Sequence, residues 1–481
     1  MKNPQTNDLN RREFLLAAAA VGALGATGLL GGCATSTTPA PDSVEPSAPE
    51  ASPPPAPTPE TAAPSAGSLP YDSVFPPHEP LGRGVGVMPG RVTWVRDAAA
   101  VNWDGSGFWW QTEHFNADTL RAMVADGIAN LAGADSAATG WNALFEAHNA
   151  RTGTAGGYRA GQSIAIKANM NGAGTFGRDE NSAMSYTTPT LLRALLLSLV
   201  EDAGVAPAAI AVYDVCRIFP QHVRDLCSEG ALAGVQFRYF DEGSPNDAVA
   251  DPNAPLVWSA DVAGDTNTVP TCVSEATYLI NLASLKGHSY GLTLCSKNHF
   301  GSLMNSSRLR PPEAAGIHRY VSGQTMGSYT VLTDLFANHL LGGKTMLWML
   351  DALVVATSEG ASVTREAALW ESAPFNGGFT ASVFLSQDPV AIDSVGADFL
   401  INEPAVTSRN RALDGNLGVE NYLHEAGLIS APPSGTTYRD GAGGAVENLG
   451  VHEHWNNAVE RLYSRDRGEA EGIELSRILR G

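Results

Sequence analysis

Between residues 163 and 400, short apolar runs alternate with longer leucine- and alanine-rich ones, which is the pattern of strands interleaved with helices. Ser163-Ile164-Ala165-Ile166 predicts a buried strand that ends at Lys167-Ala168-Asn169-Met170-Asn171-Gly172. After a polar loop, Thr188 is placed to cap a helix with Pro189 in its first turn; the leucine-rich residues 191–200 continue it and Gly204 stops it. Residues 209–213 predict the next strand, ending at Asp214. Such a strand–helix–strand unit implies a parallel pair with a right-handed crossover. Further strands are expected at 235–240, 277–282, 345–356 and 381–385, and helices at 220–227, 329–341 and 389–400, the last capped by Asp388. The expected fold is therefore α/β: a layered, mostly parallel sheet with helices on both faces, in one or two lobes.

The N-terminal pattern is different. Arg11-Arg12 directly precede an apolar, alanine- and glycine-rich stretch from Phe14 to Gly32, which ends in small residues before Cys33. Residues 1–33 read as a twin-arginine lipoprotein signal, with Arg11 and Arg12 as the export address and Cys33 as the lipid acceptor. Residues 34–70 are dominated by proline, alanine, serine and threonine, which bury too little apolar surface to offset ordering entropy and read as a disordered tether. Residues 71–481 read as the folded domain. The expected location is the cell envelope, exported and held to a lipid membrane through Cys33; the partners implied are the twin-arginine translocase and lipoprotein-processing enzymes.

Composition narrows the function. The chain is 43% hydrophobic and 17% charged, with a net charge of −20. That balance argues against nucleic-acid binding, which needs a basic footprint. Cys216, Cys227, Cys272 and Cys295 form no C-x-x-C pair, so the spacings of iron–sulfur clusters and zinc ribbons are missing. Buried free thiols are expected instead.

In layered α/β folds, ligands sit beyond the carboxyl ends of the strands. The polar residues of this chain gather there. Lys167, Asn169 and Asn171 follow one expected strand and Asp214 ends the next; Lys286 and His288 follow a third, Lys297 and Asn298 come soon after, and Asp393 lies early in the last helix. Three ammonium groups beside fixed amide donors suit a carboxylate or phosphate. Lys167, His288 and Lys297 are the candidate catalytic groups, with His288 as an acid–base or as a metal ligand beside Asp214 or Asp393. Asn169, Asn171, Asp214, Lys286, Asn298 and Asp393 are the candidate ligand-binding residues. The competing reading pairs Lys167 and Lys297 with Asp214 and Asp393 in a structural network.

These same elements, in order, resemble the domain of unknown function 362 family. The resemblance runs through Lys167-Ala168-Asn169, Thr188-Pro189, Asp214, Ile280-Asn281-Leu282, Leu285-Lys286-Gly287-His288, Lys297-Asn298 with Phe300-Gly301, Asp351, and Asp388-Pro389-Val390-Ala391 with Asp393. It covers a core of about 160–400 and implies an α/β fold with a site at these residues. Gly287 stands where relatives often carry threonine, and the cysteine clusters of some relatives are absent. The family has no settled activity, so it names no chemistry.

Two smaller clusters remain. His452-Glu453-His454 would put both histidines on one face of a strand, able to hold a metal; the alternative is an exposed hydrophilic turn beside Trp455. His114, with Glu113 and the aromatics Trp109, Trp110 and Phe115, either lines a pocket or packs a lobe, and packing is the expectation. Gly82-Arg83-Gly84-Val85-Gly86 is glycine-rich, but no capped helix follows it as a phosphate loop requires. A cofactor is not named by the sequence: a metal ion stays open, and an iron–sulfur cluster is disfavoured. Two functions follow, an extracytoplasmic enzyme acting on an anionic small molecule, or a non-catalytic ligand-binding lipoprotein.

Overall fold

The central strands of the sheet are buried along their whole length, which is why they read in sequence as unbroken apolar runs. The computed structural model describes residues 75–173, 181–262, 267–305, 317–321, 324–413 and 416–481. Arg11, Arg12, Cys33 and the tether at 34–70 lie outside the described residues. Among the described residues no helix is long and apolar enough to cross a membrane.

Eight strands form one sheet: β1 (Arg91–Asp97), β2 (Ile164–Ala168), β3 (Ile210–Asp214), β4 (Gln236–Tyr239), β5 (Tyr278–Ser284), β6 (Thr345–Ala352), β7 (Ser382–Ser386) and β8 (Glu474–Arg480). Their spatial order is β8-β1-β7-β6-β5-β2-β3-β4. From β6 to β4 every pairing is parallel, and β8 is parallel to β1. Only β7 runs against its neighbours, β6 and β1. The sheet is mostly parallel, as expected.

The helices used below are α1 (Ala117–Ala132), α2 (Ala137–Arg151), α3 (Pro189–Leu197), α4 (Cys295–Asn298), α5 (Val331–Ala337), α6 (Pro389–Ile401) and α7 (Leu417–Gly427). Successive strand residues point to opposite faces and so feed two cores. Val95, Ile166, Val212, Ile280 and Met349 pack with Leu120, Leu144 and Leu195 of α1, α2 and α3. Trp94, Ala165, Leu279, Trp348 and Phe384 pack on the other side with Leu335, Val395 and Leu423 of α5, α6 and α7. The described residues fall in one compact unit, so one lobe carries the whole sheet.

Three local expectations change. Thr188 makes no side-chain cap on α3; its backbone N–H donates instead to Asp351 Oδ2 at 2.7 Å, so a buried carboxylate from β6 anchors that helix. The strand expected at 345–356 stops at Ala352, where the Asp351 side chain turns back to accept from Leu353 N. Asp388 caps α6 through Val390 N and Ala391 N as expected, but its second oxygen also accepts from Val85 N and Val451 N. The glycine-rich segment at 82–86 is thereby tied to a carboxylate. Trp109 and Trp110 are packed, their ring N–H groups donating to Met184 O and Ser182 O. Cys216, Cys227, Cys272 and Cys295 are free thiols.

Candidate functional site

Parallel neighbours open their loops at one edge of a sheet, and the lysines and asparagines expected at strand ends meet there. Lys167, the fourth residue of β2, is 1% exposed. Its Nζ donates to Asp214 Oδ2 at the end of β3 (3.0 Å), to Ala168 O (2.6 Å) and to Asn298 Oδ1 (3.2 Å). Asp214 is held in turn by the backbone: Met170 N reaches Oδ2 at 3.0 Å and Cys216 N reaches Oδ1 at 2.9 Å. Asn298 is oriented by three further acceptors for its amide, Asn281 Oδ1 (2.8 Å), Leu282 O (3.3 Å) and Lys167 O (3.4 Å). It leaves Oδ1 to accept from both Lys167 and Asn169 Nδ2. Gly301 is required beside this group. A Cβ there would lie 2.7 Å from Lys167 Nζ and 2.8 Å from Asp214 Oδ1.

Lys286 follows β5 and is completely buried. Its Nζ donates to Asn169 Oδ1 and to Ser185 O, both at 3.1 Å. Those acceptors are neutral. Burial is the main cause that pulls its ammonium down to about 8; Arg217 and Lys167 add to that, while Glu359 and Asp214 oppose it. Lys297, the third residue of α4, lies 3.8 Å over the Phe300 ring and 2.9 Å from His318 Nε2. Burial again leads, and Lys297 is pushed down to about 7. Asn171 accepts Arg217 through both its backbone and side-chain oxygens, at 3.1 and 2.9 Å, so it places a fourth cation near the cluster. A narrow crevice beside Lys297 is lined by Tyr290, Leu292, Leu294 and Tyr422. A larger cleft, lined by His148, Tyr278 and Lys344, lies at the opposite sheet edge, where β5 and β6 begin, and contains none of these lysines.

One expected pairing is corrected. Asp393 does not pair with Lys297: it accepts Cys295 N at 2.8 Å, Ser296 N at 3.1 Å and the Tyr422 hydroxyl at 3.2 Å. It therefore fixes the first turn of α4, the element carrying Lys297 and Asn298, and touches neither lysine head. His288 is held neutral, well below 6.5, by burial first and then by Lys297, His318 and Lys286. Its Nδ1 accepts from Tyr290 N at 3.0 Å, which puts the ring proton on Nε2. At neutral pH the ring is therefore a neutral imidazole, the form that a base or a metal ligand takes. The structural pairing holds for Lys167 with Asp214 and fails for Lys297 with Asp393. Sequence reasoning missed Arg217 and His318; Asn281, inside an apolar strand, entered only through the family resemblance and was given no role of its own.

His452 and His454 lie apart from this cluster and are buried, with Glu453, to 3% exposure or less, so the exposed-turn alternative does not hold. A buried polar run needs partners. His454 Nδ1 lies 2.5 Å from Asp398 Oδ1 and its Nε2 lies 2.9 Å from Glu420 Oε2. Burial would lower this histidine, but the two carboxylates outweigh it and raise it to about 10. His452 sits in a two-residue strand paired with Leu81–Gly82, close to Glu420 of α7. Glu420 and His424, one helical turn apart on α7, were readable as an i,i+4 pair but were not among the expected residues.

Residues 164–398 match the model of a family described as Domain of unknown function (DUF362). No curated protein matches the chain. The whole lysine–asparagine cluster falls inside the matched stretch, and His452 and His454 fall outside it.

Proposed function

Taking as premise that residues 164–398 form a DUF362 domain, we propose that the chain is an exported, lipid-anchored protein that holds a small carboxylate or phosphate among Lys167, Lys286 and Lys297. The observation that carries this is Lys286: a fully buried ammonium whose hydrogen bonds go only to neutral oxygens. A buried charge that hydrogen-bonds to no carboxylate costs several kcal/mol; Glu359 and Asp214 act on it only from a distance and leave its ammonium pulled down to about 8, so an external anion would complete its neutralisation. Asp214 already serves Lys167 and two backbone amides. Support for export is in the N-terminal pattern, Arg11-Arg12 before an apolar stretch that ends at Cys33.

The test is thermal unfolding of the mature chain with inorganic phosphate and with acetate at neutral pH. The wild-type protein gains melting temperature with at least one of them, and Lys286→Met and Lys297→Met lose that gain. A wild-type melting curve indifferent to both anions would overturn the assignment.

A catalytic role is favoured over passive binding by one feature. Lys297, pushed down to about 7 by burial, lies 2.9 Å from His318 Nε2, so its amine can gain or lose a proton near neutrality beside a second ring nitrogen. The pair can give or take a proton at an anion held by Lys286. Titration of the Lys297 side chain by nitrogen NMR tests it: a midpoint near the ordinary lysine value of about 10.4 removes the case for acid–base chemistry.

A further inference from the structure

Outside the family-matched stretch, four ligand atoms converge from three remote segments of the chain. His78 comes from the start of the described residues, Glu420 and His424 from one face of α7, and His452 from the strand that pairs with Leu81–Gly82. Their candidate donor atoms all lie within 4.8 Å of one another. His424 Nε2 is 2.7 Å from Glu420 Oε1, His452 Nε2 is 3.4 Å from it and His78 Nε2 is 3.9 Å from it, while the His78 and His452 Nε2 atoms are 3.3 Å apart. Four ligands at the usual zinc distances of about 2.0–2.1 Å in a tetrahedron stand about 3.3 Å from each other. The cluster is already close to that spacing.

The ring protons make the case sharper. His78 Nδ1 lies 2.7 Å from Glu79 O, and a carbonyl only accepts, so that nitrogen carries the proton. His452 Nδ1 lies 2.8 Å from Ser394 Oγ, whose own hydroxyl donates to Val390 O at 2.7 Å, so this nitrogen too is the donor. Both Nε2 atoms are then bare lone pairs facing each other at 3.3 Å beside a carboxylate. Neither can donate to the other. A cation between them satisfies both and leaves each histidine with the outer hydrogen bond that metal-bound imidazoles usually have. Glu420 is oriented from behind, since His454 Nε2 takes its other oxygen at 2.9 Å and is itself fixed by Asp398.

We propose that His78, Glu420, His424 and His452 form a binding site for a divalent transition metal, zinc by its three-nitrogen, one-oxygen donor set. His454 is a positioning residue and not a ligand: both its ring nitrogens are engaged by carboxylates. Four protein donors fill a tetrahedron, which marks a structural site with no position left for substrate. The metal clasps the segment around His78 and the two-residue strand at Val451–His452 onto α7. His78 and His424 are each about a quarter exposed at the side chain, so the site loads from solvent.

The test measures metal in the intact chain purified from zinc-replete cells and again after dialysis against zinc and cobalt. One zinc per chain and the visible bands of tetrahedral cobalt are expected, because the ligand set is closed. His452→Asn and Glu420→Gln should drop the content at least tenfold, whereas His424→Cys, which keeps a good zinc ligand, should retain it. Lys286→Met should leave it unchanged, which separates this site from the anion site. Wild-type protein that stays metal-free in both dialyses overturns the proposal, as do folded His452→Asn and Glu420→Gln proteins with full metal content.

Discussion

Replacing Lys286 by methionine removes an ammonium and keeps most of its apolar stem. Burial, with Arg217 and Lys167, moves that ammonium from 10.5 to about 8 in the folded chain. The difference is roughly 2.5 pK units, or about 3 kcal/mol at about 1.36 kcal/mol per unit, by which the charged form is disfavoured on folding. Below about pH 8 the side chain is charged in both states and the penalty is complete. Above about 10.5 it is neutral in both and the penalty is gone. In between, the unfolded chain binds more protons, so the anion-free wild type gains stability as pH rises. Methionine removes this dependence and costs the donor for Asn169 Oδ1 and Ser185 O, at about 1–3 kcal/mol. At neutral pH the variant should therefore equal or exceed the wild type by up to about 2 kcal/mol, the net of these two effects. Urea unfolding of both proteins, dialysed free of anions and compared across this pH window, should show the wild type gaining about 3 kcal/mol on the variant as pH rises. Lys297 titrates in both and cancels. A pH-independent difference between the two curves would refute the reasoning.

Asp214→Asn leaves the Lys167 ammonium buried without its anion and should cost about 3–5 kcal/mol in denaturant unfolding; a loss below 1 kcal/mol would mean the pair matters little. Gly301→Ala drives a methyl against Lys167 Nζ and should cost about 1–3 kcal/mol, checked by melting temperature, with anion stabilisation lost as well. Cys33→Ala should release the chain from washed membranes, and Arg11→Lys with Arg12→Lys should leave it unprocessed inside the cell; fractionation reads both.

The sheet edge was legible because buried parallel strands are apolar to their last turn, so Lys167, Asn169, Asp214 and Lys286 mark where each strand opens. Asp388 announced α6 for the same local reason, a cap before Pro189-like proline placement at Pro389. Asp393 was not separable from it by spacing: one carboxylate caps its own helix and the other caps α4, a contact nearly a hundred residues away in sequence. β1 carries Arg91, Thr93, Arg96 and Asp97 among its apolar residues although it is buried from Val92 to Arg96, and β8 mixes Glu474, Arg477 and Arg480 with apolar residues on the partly exposed flank, so neither stood out. The histidine cluster was beyond reach as a whole. His452 and His454 look hydrophilic in sequence, and it is Ser394, Asp398, Glu420 and His78, brought in from three other segments, that make their burial tolerable.

The position of β1 also sets a timetable. Its residues leave the ribosome early, yet Val92 pairs with Ser386 on one side and with Leu475 on the other. Until both arrive, the strand has no lateral partner, and an unpaired strand is open to pairing with foreign chains. Contacts this distant in sequence also close slowly. The domain can therefore reach its final shape only after residues 474–480 have been made, although the proposed export address at Arg11 and Arg12 is made long before them. A translocase that accepts finished folds would have to wait for the last strand, and a holdase bound near residues 91–97 in the interval would shield the segment most exposed to mispairing.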